Sequence, residues 1–435
     1  MFVAAGLCLA CVWLLAAGVA GASTAHRGAV GAVYTQTNSP AGNSVVVFDR
    51  AADGTLTKRE AVSTGGNGST QSVGCGPGCP ILDSQNAVVV STSAMRAKVR
   101  GGDDDDEDDD DDDESGRGDE NGKFVFAVNA GSDTVTSFRE TKHGLRRVSQ
   151  VSSGGDMPES LALHGRLLYV LNVATNNANG TTGNIYGLRI SSDGELSPVG
   201  SSQTLANAAP PDHSADARAI DFSSSGKVIV VTEIAGGFMG PGGPPGRIDT
   251  FVVGSDGKAG PAVSHPSSDG FPFGFAFDNK GHLVVSNIRD PAGTAIGSVS
   301  TYDVSDSGDV TPIDTKPSGG VLPCWVVVTN DGRYTYVVNT GAGLPAPVTF
   351  FGLSPSGALT PLGPPAASLP GEFARTDAAL SRDSKFLYVL SPSVGPGSAS
   401  HIDAYRLAAD GSMTLIGSTP AGANLGIGAT GLAAR

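Results

Sequence analysis

The chain has 435 residues, of which 39% are hydrophobic, with 61 glycines, 27 prolines and a formal net charge of −15 at pH 7. That length allows two or three ordinary domains or one large repeat fold, and the apolar content suffices for a core. The acidic balance excludes a basic field for nucleic acid, and abundant Gly with Val, Thr and Ser favours short strands and tight turns over helices.

Met1–Gly21 is an apolar run containing Leu7, Trp13, Leu14 and Leu15, and it ends in Ala20-Gly21-Ala22 before Ser23. Small residues there suit a cleavage site, so residues 1–22 read as a signal peptide and the mature protein as secreted or surface-exposed; an uncleaved anchor is the alternative. No other segment is long and apolar enough to span a bilayer. Of five cysteines, Cys8 and Cys11 fall in the signal. Cys75 and Cys79 bracket Gly-Pro-Gly, a turn that can bring them within disulfide reach in an oxidising compartment. Cys324 precedes Trp325 in an apolar strand and reads as an inert core thiol. Asn67-Gly-Ser and Asn179-Gly-Thr are glycosylation sequons in predicted loops.

From residue 23 onward a unit of roughly fifty residues recurs. Its clearest piece is a strand ending in Asn or a small polar residue: Ala32–Asn38, Phe124–Asn129, Leu167–Asn172, Val228–Glu233, His282–Asn287, Tyr334–Asn339 and Phe386–Ser391. A second strand follows each, then a hairpin turn at Gly54, Gly144, Gly194, Gly257, Gly308, Gly357 or Gly411; four of these glycines follow Asp, a strong hairpin signal. A further strand carries Leu-Thr or Leu-Ser-Pro, and another precedes most of the Asn-ending strands, as in Ser160–Leu163 and Trp325–Val328. Four antiparallel strands repeated seven times, with no predicted helix, describe an all-β, seven-bladed β-propeller over residues 23–435. Thr430–Arg435 resembles an innermost strand and the first unit lacks one, so the last strand of the chain is expected to complete the first blade and remove an exposed edge.

Two insertions interrupt the repeat. Lys98–Asn121 lies where other blades have a short turn, and within it Asp103–Glu114 is twelve consecutive acids, which supply most of the net charge. Like charges at this density repel and bury no apolar area, so a disordered, solvated loop is expected; it could hold cations or a basic partner. Arg117-Gly-Asp119 inside it reads as chance. Gly236–Gly246, rich in Gly and Pro, is a second loop that could overhang a site beside Glu233.

The repeated Tyr-Val-x-Asn strands (Tyr169–Asn172, Tyr336–Asn339), the Asp-Gly-x-Leu hairpins and Gly-x-Ala-x-Asp segments such as Gly274–Asp278 resemble the seven-bladed lactonase-type propellers, a family that includes bacterial-type 6-phosphogluconolactonases and fungal carboxymuconate cyclases. The resemblance covers about Gly31–Arg435 outside the acidic insert. It implies a site at one mouth of the central channel, where Arg218 and Glu233 match an Arg and a Glu that members use on carboxylate or lactone substrates. The family's His is expected near Glu159, where Pro158-Glu159-Ser160 stands instead; His213, five residues before Arg218, is the candidate substitute.

The repeat itself isolates Glu233, because its counterparts are Asn38, Asn129, Asn172, Asn287, Asn339 and Ser391. Asn at a strand end commonly bonds turn backbone. Glu there gives up two donors and adds a charge to be solvated or paired. Arg218, at the start of the adjacent inner strand, is the nearest partner and would keep the carboxylate ionised. That arrangement suits Glu233 as general base toward a lactone carbonyl and Arg218 as binder of the oxyanion or of a substrate carboxylate. Arg289 and Arg375, at comparable strand ends, could bind a second acid group, and Glu159 is a further substrate-binding candidate. No redox cofactor or metal is indicated. Two other readings stay open: an ion pair that only fixes two blades within a non-catalytic extracellular binding propeller, and a cation-buffering surface protein.

Overall fold

The computed structural model describes residues 28–71, 82, 84–91, 123–174, 182–206, 216–234, 246–288, 296–340, 346–366, 375–392, 400–422, 425 and 430–435. Among them no helix is long and apolar enough to cross a membrane. The signal region, Cys75, Cys79, the acidic insert and the Asn179 sequon lie outside the described residues. Asn67 is exposed, and Cys324 is buried with Sγ 3.3 Å from the Leu322 carbonyl oxygen.

Twenty-eight strands form seven four-stranded antiparallel sheets in a ring. Blade 1 joins Leu432–Ala434, Gly31–Gln36, Ser44–Arg50 and Leu56–Ser63, and blade 2 joins Val88–Val90, Phe124–Asn129, Thr134–Thr141 and Gly144–Ser152. Blades 3 and 4 start from inner strands Pro158–His164 and Ala217–Phe222; blades 5, 6 and 7 start from Pro272–Phe277, Pro323–Val328 and Asp377–Leu380. Second strands such as Phe124–Asn129 and Val228–Glu233 are buried at every position, because each of their faces meets a neighbouring blade. Outer strands such as Leu56–Ser63 are mostly exposed or half-buried, and there Thr, Lys, Arg and Glu replace the Val, Phe and Tyr of the inner pair. The sequence therefore grades from apolar to polar outward along every blade.

The last strand closes the ring. Val33 pairs with Ala434, Tyr34 with Ala433 and Thr35 with Leu432. One correction applies to the first blade: Thr37, not Asn38, occupies the strand-end position of the Asn ring. The Thr37 N–H bonds the Ser44 carbonyl in the position that Asn129 holds opposite Thr134, and Asn38 has already turned to φ 44°. Asn43 takes up the bonding role, donating Nδ2 to the Asn129 Oδ1 at 3.1 Å and to the Val128 carbonyl at 3.0 Å across the blade boundary.

Adjacent blades are fastened in a repeated way. A buried hydroxyl of one blade donates to the carbonyl of the next blade's hairpin glycine: Ser137 to Gly194 (2.7 Å), Tyr169 to Gly257 (2.8 Å), Thr250 to Gly308 (2.8 Å), Thr301 to Gly357 (2.7 Å), Tyr336 to Gly411 (2.8 Å) and Tyr388 to Gly54 (3.0 Å). The glycines sit at positive φ, and a Cβ at Gly54 would lie 2.3 Å from the Phe386 ring, so turn geometry and blade approach both require Gly. At the boundary between blades 1 and 2 the Tyr34 hydroxyl instead accepts from Arg435 Nε at 3.0 Å. Arg435 also pairs with Glu140, and Arg59 pairs with Asp49 at 3.0 Å and Glu140 at 3.7 Å.

The central channel is interrupted. Ser84–Asn86 lies along the inner strand of blade 3, where Ser84 Oγ donates to the Glu159 carbonyl, Ser160 Oγ to the Gln85 carbonyl and Leu161 N to the Asn86 carbonyl. From there the Gln85 side chain reaches the far wall, donating Nε2 to the Val326 carbonyl at 2.9 Å and accepting from Val326 N at 3.3 Å. These bonds occupy inner-strand backbone groups that have no further strand beside them. Beyond Gln85 a cavity of about 320 Å³ extends toward the ends of the inner strands, with Asp221 in its wall. Burial there lifts the Asp221 carboxyl to about 7.

Two outcomes follow. Tyr388→Phe leaves the buried Gly54 carbonyl without its donor and should destabilise the ring by about 1–3 kcal/mol in urea melts, whereas Tyr334→Phe, whose bond to Ala409 is exposed, should change it by less than about 0.5 kcal/mol. Folded Asp221 keeps its proton up to about 7 while the unfolded residue releases it near the usual 3.8, so wild-type stability falls as pH rises through that window. The stability advantage of Asp221→Asn over wild type should therefore grow by about 2–4 kcal/mol from pH 4 to pH 8 and be flat above.

Candidate functional site: the charged end of the channel

Most inner strands share one irregularity. Where the inner strands of blades 3, 4, 5 and 6 begin, the register against the second strand shifts by a residue, as between Pro158 and Ser160, between Ala217 and Ala219, and between Pro323 and Trp325, whereas blades 1, 2 and 7 pair without a shift. The residues at these shifts are Glu159, Arg218 and Cys324, and in blade 5 the shift spans Phe273 and Gly274. A bulge frees its residue from the ladder and re-aims it, which is how a regular sheet presents one special side chain at its end. Asp216 and Met157, one residue before the inner strands of blades 4 and 3, hold positive φ of 47° and 57°.

Arg218 is fully buried. Its guanidinium lies 5.5 Å from the centre of the Phe273 ring of the next blade, and Nη2 is 3.7 Å from Asp216 Oδ1. Glu233 ends the second strand of the same blade, paired in register with Ala217 on one side and Arg247 on the other. Glu233 and Glu159 are buried as completely as Arg218, with relative exposure of 0%. The structure thus places Glu159, Arg218 and Glu233 at one end of the channel, on adjacent blades 3 and 4.

Arg375 precedes the inner strand of blade 7 and is also fully buried. Its Nη2 donates to Asp403 Oδ2 at 3.2 Å and to the Tyr405 hydroxyl at 2.9 Å, and its own carbonyl accepts from Trp325 Nε1 at 2.9 Å. His401 Nε2 is 3.7 Å from Asp403 Oδ1. The side chain is anchored before any ligand is considered. His213 and Arg289 lie outside the described residues. Among those described, no group of three or more His, Cys, Asp or Glu is placed to hold a metal ion.

The Asn ring has the structural role expected of it. Asn129 donates to Thr134 and Thr136, and Asn287 to Ser298 and Ser300, two third-strand hydroxyls each, whereas Asn172 donates to the Ser153 carbonyl and Asn339 to the Pro347 carbonyl and the Thr349 hydroxyl. In blade 4 those third-strand positions are Arg247 and Asp249, and in blade 7 His401 and Asp403. Asp249 is buried and accepts from Ala206 N at 2.8 Å. Asp403, His401 and Asp249 were not singled out by the sequence reading. Their signal was a shared basic-Ile-Asp triplet (Arg247-Ile-Asp249, His401-Ile-Asp403) where every other blade carries uncharged residues, as in Thr134-Val-Thr136 and Asn184-Ile-Tyr186. Charge substitution therefore affects two blades, not one.

The protein is similar in structure to a proposed 6-phosphogluconolactonase from Bacteroides uniformis ATCC 8492, with a TM-score of 0.57 and 17% identity over 90% of this chain and 96% of that one. A second proposed 6-phosphogluconolactonase, from Bacteroides fragilis NCTC 9343, gives a TM-score of 0.52 and 16% identity over 69% of this chain and 82% of that one. Identities of this size establish a shared fold, that of the lactonase-type propellers, and nothing finer. No family model matches the sequence, and neither does any curated protein.

The anchoring of Arg375 is testable by stability. Asp403→Leu leaves the buried guanidinium without this carboxylate and should cost about 3 kcal/mol in denaturant melts. Removing Asp193, whose pair with Arg139 is solvent-exposed, should cost less than about 1 kcal/mol.

Proposed function

We propose that the charged end of the channel is a site for a small lactone bearing an acidic group, hydrolysed or formed without a redox cofactor. The observation that carries this reading is the gathering of Arg218, Glu233 and Glu159 on adjacent strand ends of a lactonase-type fold, Glu233 in place of a neutral ring residue and Glu159 and Arg218 at inner-strand bulges where blades 5 and 6 carry Phe273, Gly274 and Cys324. Full burial of ionised side chains is unfavourable by several kcal/mol each unless pairing or a ligand offsets it, so chance does not readily maintain such a group.

In the hydrolytic direction Glu233 takes a proton from water as its oxygen attacks the lactone carbonyl. Arg218, held against Phe273, faces negative charge as it develops on the carbonyl oxygen. The tetrahedral intermediate expels the ring oxygen, which recovers the proton from Glu233 and gives a hydroxy acid. Arg375 supports this reading as the binder of the second acid group, since Asp403 and Tyr405 hold its guanidinium in one orientation.

One observation favours a second reading. The three groups have no accessible surface, which suits an ion-pair plug in a non-catalytic binding propeller. Purified mature protein assayed on sugar lactones and carboxylated lactones, beside Glu233→Gln, separates the two. The lactonase reading expects turnover by wild type and a loss of about 100-fold or more in kcat for the variant. Equal rates, or none from either protein, leave the plug.

A further inference from the structure

We propose that the half of the channel on the far side of Gln85 is a second ligand site, specific for a small aliphatic ammonium ion. It is separate from the site described above. Asp221 lies three residues beyond Arg218 on the same inner strand, about 10 Å along it, and Gln85, bonded to both main-chain groups of Val326, stands between the two levels.

Shape and chemistry agree on the class of ligand. The cavity, about 320 Å³, is blind at Gln85 and falls at the lower end of small-molecule pocket volumes. Among the described residues its side chains are mainly aliphatic, from Val88, Leu161, Leu163, Val327 and Leu432, none is basic, and main-chain groups with the Gln85 and Asn86 amides make up its polar part. Asp221 is the one ionisable residue among the described residues of the wall. Among the described hydrogen bonds it accepts one, from the N–H of Phe222 to Oδ1 at 2.8 Å, which leaves Oδ2 for whatever fills the space. A lone carboxylate in a chamber walled largely by aliphatic side chains is complementary to one positive charge on a short aliphatic body, whose remaining N–H groups can meet the main-chain and amide oxygens of the wall. An anion would meet Asp221 unfavourably, and a divalent cation would find too few oxygens. A neutral alcohol of the same length would fill the chamber but forgo the charge-assisted bond. The raised pKa of Asp221 is the state expected of the empty chamber, and a bound cation would draw the proton off.

The test uses the full chain and n-butylammonium chloride, with 1-butanol as the uncharged isostere at matched ionic strength and pH 8, followed by titration calorimetry. Wild type should bind one butylammonium per chain, at least about tenfold more tightly than 1-butanol. Asp221→Asn, shown by circular dichroism to melt cooperatively, should lose that preference, while Glu233→Gln should keep it. Equal binding of ammonium and alcohol by wild type, or binding of neither, would overturn the proposal without reference to any variant. So would loss of binding in Glu233→Gln with retention in Asp221→Asn, which would move the cation to the other end of the channel.

Discussion

The structure depends on a hydroxyl held against a carbonyl between one blade and the next. A propeller blade has no covalent tie to its neighbour except the connecting chain, and apolar packing between blades is indifferent to small sliding. The bond from Ser137, Tyr169, Thr250, Thr301, Tyr336 or Tyr388 to a hairpin glycine is directional and buried, so it fixes the height of each blade relative to the next. Burial pushes the hydroxyls of Tyr336 and Tyr388 far up from their ordinary pKa, which keeps them protonated as donors. The boundary between blades 1 and 2 is the exception. There the Tyr34 hydroxyl is turned to Arg435, and the Glu60 carboxylate accepts the Leu145 N–H from the blade 2 hairpin at 2.9 Å.

That fixed frame is what allows the channel end to hold buried charge. Glu159 and Arg218 occupy equivalent bulges on consecutive blades, and Arg375 is clamped to Asp403 and Tyr405 within blade 7. Blades 4 and 7 lie on opposite sides of the ring and carry the same departure in their third strands, Asp249 and Asp403, where the other blades have Val46, Thr136, Tyr186, Ser300 and Thr349. In both, a charged residue nearer the channel, Glu233 or Arg375, is accompanied by an ionisable group on the third strand. The polar ring thus works as a scaffold in which two sectors have been converted to charge without altering the strand pairing.

The architecture was legible because its signals are local and repeated: the hairpin glycines, the Tyr-Val-x-Asn strands and the incomplete first unit. Thr37 and not Asn38 takes the ring position because the register follows Tyr34 three residues earlier, even though Asn is the stronger turn former. Arg218, Glu233, Glu159 and Arg375 stood out by charge, and the structure puts the first three on neighbouring strand ends. Their complete burial was not legible, since it is a property of the closed ring and not of any segment. Gln85 gave no warning at all. Its partner is a main-chain group 241 residues away, and main-chain groups have no sequence signature.

The pairing of Thr35 with Leu432, and the bond between Tyr34 and Arg435 across 401 residues, set the order in which this molecule can be made. The first blade to leave the ribosome is the last to be finished. Until the final strand arrives, the inner edge of Gly31–Gln36 has open backbone groups that any other extended chain could pair with. So long-range a closure is a slow step for a sheet protein, and a chain released before residue 432 would present a sticky, unsealed wheel instead of a shortened one.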